Sequence, residues 1–293
     1  AMDYKVFIQT NEEQYLGAVV AAYALHRNSR HPDRFGVEIL HYNDFPWLHA
    51  KEGQTFLRRL AHRLWERHDL QSFTPLRFAP PKLMNYSGRA VVIDPDCFAV
   101  GDVWDLLSRD MQGKALMCRI RPAIKELPAY RASSVMLLEN AKLGHWDAER
   151  TFNETFEYKT DYLKWIKLQY EAEETVGLFE NEWNDFDRLT ADTKILHTTY
   201  RRTQPWKTGL PVDFTVRVKP KSLLKQIKHL IAPKPPKSET YLPHPDPNQE
   251  RLFFGLLAEC LEKGLVTEEI VRREMSANHV RHDALELCSR IAA

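Results

Sequence analysis

The sequence has little net charge and no long apolar run. Its 41 lysine and arginine residues are balanced by 40 aspartate and glutamate residues, so the formal net charge is +1. A dedicated nucleic-acid binder would show a clear basic excess, and we therefore expect no nucleic-acid partner. The longest apolar run, residues 16–25, has about half the length of a membrane span. Because no signal-peptide pattern precedes the first predicted strand, we expect a cytoplasmic protein.

Cysteine is also scarce, with four residues at positions 97, 118, 260 and 288. They form no close pair and no Cys-x-x-Cys motif, which argues against a disulfide framework and a cysteine-rich zinc site. We interpret all four as buried thiols in a reducing compartment. With 43% hydrophobic and 28% charged residues, the chain can bury a core, and the disordered and collagen-like classes are excluded.

Strand and helix patterns alternate along most of the chain. The predicted strands are residues 4–9, 37–42, 89–93, 114–119, 134–139 and 194–197. The predicted helices are residues 14–27, 56–65, 103–108 and much of 149–187. This order predicts an α/β fold with a mixed, mostly parallel sheet and flanking helices.

The chain is predicted to have three regions. Residues 1–214 form the α/β domain, residues 215–248 a basic segment with a proline-rich connector, and residues 249–293 a helical extension of two helices. Residues 215–238 contain seven basic residues and no acidic one, and their apolar residues fall on one helical face. Residues 217–237 are therefore predicted to contact an anionic membrane surface. The alternatives are a helix packed on the core and a linker.

Two aspartates follow the apolar strand over residues 89–93. Asp94 and Asp96 are separated by Pro95, which fixes φ and ends the strand ladder. In an open parallel sheet, ligands bind beyond the carboxyl ends of the strands. Two carboxylates at such a place suit Mg²⁺ or Mn²⁺. On its own, an Asp-x-Asp pair is more typical of a surface turn.

A second apolar strand, residues 194–197, ends in His197, and a basic loop follows it. Imidazole is a suitable third ligand for Mn²⁺. Arg201, Arg202 and Lys207 in the loop suit a diphosphate. The alternative is a core or surface histidine that happens to precede a basic loop.

Together these segments resemble the GT-A class of nucleotide-sugar glycosyltransferases, most closely the family-8 retaining type. The resemblance covers roughly residues 4–207 and rests on five motifs in the family's order. They are residues 7–14, Asp94-Pro95-Asp96, Trp183-Asn184, His197 and Pro205-Trp206. The resemblance implies a Rossmann-type GT-A fold and a hexosyltransferase. Such an enzyme would transfer a sugar with retention from a nucleotide diphosphate donor, a UDP-sugar, to an acceptor. If residues 217–237 contact a membrane, we expect that acceptor to be a lipid or a cell-envelope glycan.

The resemblance also implies roles for particular residues. Asp94, Asp96 and His197 would hold Mn²⁺ or Mg²⁺. The implied donor-binding residues are Gln9, Thr10, Asn11, Arg77, Asp94, Arg201, Arg202, Gln204 and Lys207. The family's glycine and lysine in the last loop are replaced by Tyr200 and Gln204, so the phosphate contacts would shift to the neighbouring basic residues. No convincing nucleophile is present, and Asp161 and Glu139 are the carboxylates that we consider as catalytic candidates.

The sequence also allows two alternative functions and contains one further candidate metal site. A sugar nucleotidyltransferase would need a glycine-rich first loop, but residues 9–14 contain no glycine. A non-catalytic scaffold of the same fold is disfavoured because the Asp-x-Asp pair and His197 are intact. His279 and His282 share one predicted helical face, but no third ligand accompanies them, so we interpret them as surface residues.

Overall fold

The structure is a computed structural model, and it describes residues 3–69, 71–214 and 239–293. The membrane contact predicted for residues 217–237 lies outside the described residues. Within the described ranges, no helix combines the length and the apolar character needed to cross a bilayer.

A six-stranded sheet forms the centre of the fold. Its strands are β1 (Tyr4–Thr10), β2 (Gly36–His41), β5 (Arg89–Ile93), β7 (Leu116–Arg121), β8 (Tyr130–Glu139) and β9 (Val176–Leu178). They lie in the order β2-β1-β5-β8-β7-β9. The β1–β2, β1–β5 and β7–β9 pairs are parallel, while β8 runs antiparallel to both β5 and β7. The prediction of a mixed, mostly parallel α/β sheet is confirmed.

Helices flank this sheet on both faces. They are α1 (Tyr15–Arg27), α2 (Pro46–His49), α3 (Pro80–Leu83), α4 (Trp104–Leu107), α5 (Ala148–Phe156), α6 (Tyr162–Ile166), α7 (Pro247–Glu262), α8 (Glu268–Ser276) and α9 (Ala284–Ala292). The region 249–293, predicted as two helices, contains three. The first break lies at Gly264, as expected, where φ is +71°. Asn278, at a φ of 59°, lies in the second break, which the sequence did not mark.

The central strands are buried on both faces, and their side chains alternate between two cores. Val6 and Ile8 of β1 join the core under α1 and the C-terminal helices. Phe7, between them, joins the opposite core, which is rich in aromatic residues. This period-two alternation is the geometry of a strand, and burial on both faces explains why these segments read as continuous apolar runs.

A second sheet of three short strands lies beside the first. It contains β10 (Asp185–Phe186), β11 (Ile195–His197) and β6 (Cys97–Ala99), in that order. β11 runs antiparallel to β6, so His197 lies opposite Cys97. Because β6 begins one residue after Asp96, this pairing brings His197 to the Asp-x-Asp turn. The helical prediction for residues 149–187 is right for α5 and α6 but wrong for β9 and β10.

The helix predicted over residues 56–65 is wrong, because this segment forms a β-hairpin. Its strands β3 (Thr55–Arg58) and β4 (Ala61–Leu64) pair antiparallel across a two-residue turn. Arg59 and Leu60 in the turn have φ of 54° and 58°, the left-handed values of a type I′ turn. Phe56 packs against Trp65, with ring centroids 5.8 Å apart, and the two buried aromatic rings fix the hairpin against the core.

The hairpin turn provides a stability test. Replacing Arg59-Leu60 by Asn-Gly should raise the free energy of unfolding by about 1 kcal/mol, because these residues adopt left-handed φ with less strain. Leu60 is 80% exposed, so its removal loses little packing. Urea denaturation of both proteins measures the difference. A less stable Asn-Gly variant would contradict the assigned turn.

Candidate functional site

A cavity of about 260 Å³ opens at the carboxyl end of β5, and we call it the first cavity. Asp94, Asp96 and His197 all lie on its wall. The three residues for which the resemblance implies a metal-binding role thus line one cavity. Among the described residues, the group of ligand atoms that lie within 4.8 Å of one another includes Asp96 and His197 but not the Asp94 carboxylate. The turn that carries the aspartates packs closely on α1, because a Cβ at Gly17 would lie 2.6 Å from the carbonyl oxygen of Pro95.

Asp94 forms a buried ion pair with Arg77. The guanidinium donates from Nε to Oδ1 at 2.9 Å and from Nη2 to Oδ2 at 2.5 Å. Gln9 adds a third hydrogen bond, from Nε2 to Oδ1 at 2.5 Å. Burial raises the pKa of the Asp94 carboxyl, and the Arg77 guanidinium opposes this shift. Asp94 therefore has its charge balanced by the protein itself.

Asp96 and His197 form the second half of the site. His197 Nε2 lies 3.2 Å from Asp96 Oδ1. On the other side of the ring, Nδ1 lies 2.8 Å from the Oδ1 atom of Asn184. An amide oxygen only accepts hydrogen bonds, so Nδ1 carries a proton, and Nε2 is the ring atom that a metal ion could bind. Asn184 is fixed in turn by donating from Nδ2 to Ser134 Oγ at 3.0 Å.

Cys97 is a member of the site that the sequence analysis missed. Within the described residues, Asp96, Cys97 and His197 offer ligand atoms that all lie within 4.8 Å of one another. Burial raises the pKa of the Cys97 thiol well above its usual range, so the uncomplexed thiol stays protonated. The sequence alone does not indicate that Cys97 lies at the site, because Cys97 comes opposite His197 only through the register of β6 and β11.

The donor atoms fit a divalent cation that accepts both oxygen and nitrogen ligands. Asp96 offers a partly exposed carboxylate, and His197 offers an oriented Nε2 atom. Asp94 Oδ1 accepts two hydrogen bonds, but Oδ2 accepts only one and keeps a lone pair. Carboxylate and imidazole ligands suit Mn²⁺, with remaining positions filled by ligand phosphates and water.

The polar residues at the carboxyl end of β1 and just after it are buried and form hydrogen bonds within the protein. Asn11 donates from Nδ2 to Ser72 Oγ at 3.1 Å and accepts from the backbone N–H of Gln14 at the same distance. The Thr10 hydroxyl donates to the Asn11 carbonyl oxygen at 3.0 Å. Gln9, Thr10 and Asn11 do not form part of the wall of the first cavity. Their contact with the base and ribose stays a prediction.

The basic loop after β11 divides into two parts. Arg201 and Gln204 line the first cavity, whereas Arg202 and Lys207 do not. Arg202 pairs with Glu239 at 3.1 Å. Lys207 is 1% exposed and donates from Nζ to Asp213 at 2.9 Å and to the carbonyl of Asn278 at 3.3 Å. Both side chains thus have partners away from the first cavity, and their phosphate contact stays a prediction.

Three basic residues on the cavity wall were not among the predicted site residues. Arg58 ends β3, Lys167 follows α6, and Arg121 ends β7. The helical prediction for residues 56–65 concealed the position of Arg58. Burial lowers the pKa of Lys167, and the nearby Arg59 and Arg58 lower it further. The first cavity is thus more basic than the motifs indicated.

The two carboxylates considered as catalytic candidates have structural partners. Asp161 caps α6 by accepting from the backbone N–H groups of Leu163 at 2.9 Å and Lys164 at 3.2 Å. Its Oδ2 atom accepts from the backbone N–H of Leu60 at 2.8 Å, which anchors the hairpin turn. Glu139 pairs with Arg89 at the amino end of β5, opposite to the site. Neither carboxylate lines the first cavity, and a catalytic role for either stays a prediction.

The other candidate residues also have local partners. His279 contacts Glu274 at 2.6 Å, and His282 contacts Asn278 at 2.7 Å, so the two rings do not share a ligand position. Trp183, next to Asn184, is buried in the core under α1. Trp206 packs on Phe253 of α7, with ring centroids 4.9 Å apart.

Comparison with known proteins gives only distant similarities. No protein-family model and no curated protein matches the chain. Among solved structures, the bifunctional glycosyltransferase WbbM aligns with 12% identity and a TM-score of 0.47, over 70% of this chain and 47% of WbbM. The glycosyltransferase GlyE of Streptococcus pneumoniae TIGR4 aligns with 14% identity and a TM-score of 0.48, over 90% of this chain and 64% of GlyE.

A third similar structure is the galactosyltransferase LgtC in complex with donor and acceptor sugar analogues. It aligns with 14% identity and a TM-score of 0.46, over 69% of this chain and 89% of LgtC. The chain spans about half the length of WbbM and less than two thirds of GlyE. These identities and TM-scores are too low to establish membership of a family.

The capping role of Asp161 can be tested by stability measurements. Asp161→Ala should lower the free energy of unfolding by about 1 to 2 kcal/mol at pH 7, and Asp161→Asn, which keeps a cap acceptor, should lose less.

Burial of Asp161 favours a higher pKa, but hydrogen bonds from backbone N–H groups, Leu60 first, lower the pKa overall. The charged carboxylate therefore stabilises the fold above pH 4 or so, and this contribution disappears as the pH falls through the lowered pKa. Urea denaturation between pH 2 and 7 checks this; an alanine variant as stable as the wild type at pH 7 would refute the cap.

Proposed function

We propose that this protein is a metal-dependent GT-A glycosyltransferase. It transfers a sugar, with retention of configuration, from a nucleotide diphosphate donor, a UDP-sugar, to a glycan or lipid acceptor of the cell envelope. One observation carries the proposal: His197, oriented by Asn184, faces Asp96 at the carboxyl end of β5, on the wall of a basic cavity. A cation site beside unpaired basic side chains is the arrangement that a diphosphate needs.

Asp96 and His197 would hold Mn²⁺ or Mg²⁺, joined by the free lone pair of Asp94 Oδ2. The bound cation would stabilise the negative charge that develops on the departing diphosphate. Asn184 keeps the His197 ring in one orientation and one tautomer, so that Nε2 is ready to bind. Arg77 and Gln9 keep Asp94 in place without consuming its last lone pair.

Arg121 and Arg201 would bind the diphosphate. Both line the first cavity, and Arg121 donates to Thr199, two residues after His197, at 3.4 Å. The strength of such charge-assisted contacts grows as the leaving group gains charge, which is the property that accelerates a reaction.

The cavity wall offers no third carboxylate to serve as nucleophile. Among the described residues that line the first cavity, Asp94 and Asp96 are the only acidic ones. This supports a reaction in which the departing phosphate itself helps to deprotonate the acceptor on the same face of the sugar. The chain then contributes orientation and charge stabilisation rather than a covalent intermediate.

Donor binding tests the proposal directly. In thermal-shift and calorimetric titrations, UDP with Mn²⁺ should bind and stabilise the fold, by about 2.7 kcal/mol at a hundredfold excess over Kd, whereas UDP without a cation should bind weakly. Asp96→Ala should abolish the cation dependence. Asp105→Asn removes an exposed aspartate on α4 and should behave as the wild type. The proposal fails if no UDP- or GDP-sugar binds with Mn²⁺ and Asp96→Ala changes nothing.

Asn184 provides a second test, which needs no nucleotide. Asn184→Ala removes the acceptor of the His197 Nδ1 proton, so Mn²⁺ affinity should fall by about 10- to 100-fold. Asn184→Asp keeps an acceptor oxygen and should retain binding better than the alanine variant. Mn²⁺ titration followed by electron paramagnetic resonance measures both. Unchanged affinity in Asn184→Ala would show that His197 is not a ligand positioned by this contact.

A further inference from the structure

The first cavity carries more positive charge than its own carboxylates balance. Its five basic residues are Arg58, Arg77, Arg121, Lys167 and Arg201. Arg77 pairs with Asp94, but the structure gives the other four no ion pair within 4.0 Å among the residues it describes. The sequence outside the described ranges contains no aspartate or glutamate, so it supplies no acidic side chain either. The surplus is therefore intrinsic to the chain.

These four cations come from two groups of structural elements, although Arg201 also lines, with Arg58, a second cavity of about 210 Å³. Arg121 and Arg201 belong to the side of His197, through the end of β7 and the loop after β11. Arg58 and Lys167 belong to the side formed by the hairpin and α6. Arg58 precedes the turn that Asp161 anchors, and Lys167 Nζ lies 4.4 Å from the ring centroid of Tyr130. Arg58 is thus held through its turn, and Lys167 through its contact with Tyr130.

The hairpin side gathers like charges at a half-buried position. Burial lowers the pKa of Arg58, and the neighbouring Arg63 lowers it further. The pKa of Lys167 is lowered by burial and then by Arg59 and Arg58. Grouping cations in this way opposes folding, since each destabilises the charged form of the others. An anionic ligand would relieve this repulsion, and such perturbed groups in a cleft are typical of binding sites.

The charge of a nucleotide diphosphate does not account for this second group. Its diphosphate carries two negative charges, which Arg121 and Arg201 match, and a bound cation adds further positive charge at the same end. A neutral sugar would leave Arg58 and Lys167 without an ion-pair partner among the described residues, and Asp69 opposes the lowering of the Arg58 pKa only from beyond 4.0 Å. A second cavity of about 210 Å³ also shares Arg58, Tyr162 and Arg201 with the first, so there is space beyond a single donor. Glu66 and Asp69 line it, but neither comes within 4.0 Å of Arg58.

We propose that Arg58 and Lys167 bind a second anionic group, a carboxylate or phosphate carried by the donor sugar or by the acceptor. This inference rests on the proposed glycosyltransferase function and names the substrate class of the same site. Arg58 provides a planar pair of donors, and Lys167 a compact charge, a combination that suits a carboxylate or phosphate.

The test compares charged ligands with neutral ones of the same shape on the full chain. In the donor arm, UDP-glucuronic acid is titrated against UDP-glucose with Mn²⁺. In the acceptor arm, glucose 6-phosphate and glucuronic acid are titrated against glucose with UDP and Mn²⁺ present. We expect at least about tenfold tighter binding of an anionic ligand in one arm, and that arm identifies which substrate carries the charge.

The variants are compared by one ratio, the affinity for an anionic ligand divided by the affinity for its neutral counterpart. Arg58→Gln and Lys167→Gln should each reduce this ratio towards one, and Lys167→Arg should restore part of it. Lys164→Gln, which removes an exposed lysine from the same helix, should leave it unchanged. The wild-type ratio stands even if one variant fails to fold.

Equal affinities for charged and neutral ligands in both arms would overturn the inference, as would a preference that survives both glutamine substitutions. Binding of UDP with Mn²⁺ reports separately on the proposed function. If UDP does not bind, glucose 6-phosphate titrated alone against glucose, in the wild type and both variants, still decides whether Arg58 and Lys167 form an anion site.

Discussion

The buried ion pair between Arg77 and Asp94 is the interaction on which the site depends. It joins the end of β5 to the helical turn at Thr74–Phe78, and Gln9 connects the same carboxylate to β1. Arg77 Nη1 also donates to Ser133 Oγ on β8, which in turn donates to the carbonyl of Ile166 in α6. Removing either partner of such a pair would leave a buried charge uncompensated, at a cost of about 3 to 5 kcal/mol. The position of Asp96, two residues further on, is therefore fixed by the core.

This pairing also determines the electrostatic character of the cavity. Because Arg77 neutralises Asp94, the carboxylate does not offset the basic side chains around it. Among the described residues, Asp96 is then the one carboxylate on the wall that forms no ion pair with a lysine or arginine. Four basic side chains on the wall also form no ion pair with a described residue: Arg121, Arg201, Arg58 and Lys167. A half-buried cavity screens such charges less than bulk water does, so anionic ligands are attracted strongly. The same ion pair that stabilises the turn thus leaves the basic side chains of the cavity in excess over its carboxylates.

Much of this arrangement could be predicted because it follows from strand periodicity. The apolar run of β5 ends just before Asp94, and parallel sheets place ligands at that edge. The run of β11 ends at His197, which reaches the same edge because β11 pairs antiparallel with β6 in the second sheet. The hairpin could not be predicted, since the apolar spacing of Phe56, Leu60 and Trp65 also fits a helix, and left-handed φ at a non-glycine turn leaves no sequence signal. The position of Arg58 on the cavity wall could not be predicted for the same reason. The partners of Lys207 could not be predicted either, because one of them is the Asn278 carbonyl, 71 residues further along the chain, and no local sequence pattern indicates such a contact.

The C-terminal helices act on the cavity through the loop after β11. Arg281, between α8 and α9, donates its backbone N–H to the Trp206 carbonyl at 2.8 Å, and its guanidinium contacts Glu250 of α7 at 3.0 Å. Trp206 packs on α7, and Lys207 reaches the Asn278 carbonyl. The loop has little regular structure of its own, so these contacts hold its cavity-facing members, Arg201 and Gln204, in place. Residues 249–293 thus support the loop on this side of the first cavity without contributing a side chain to its wall.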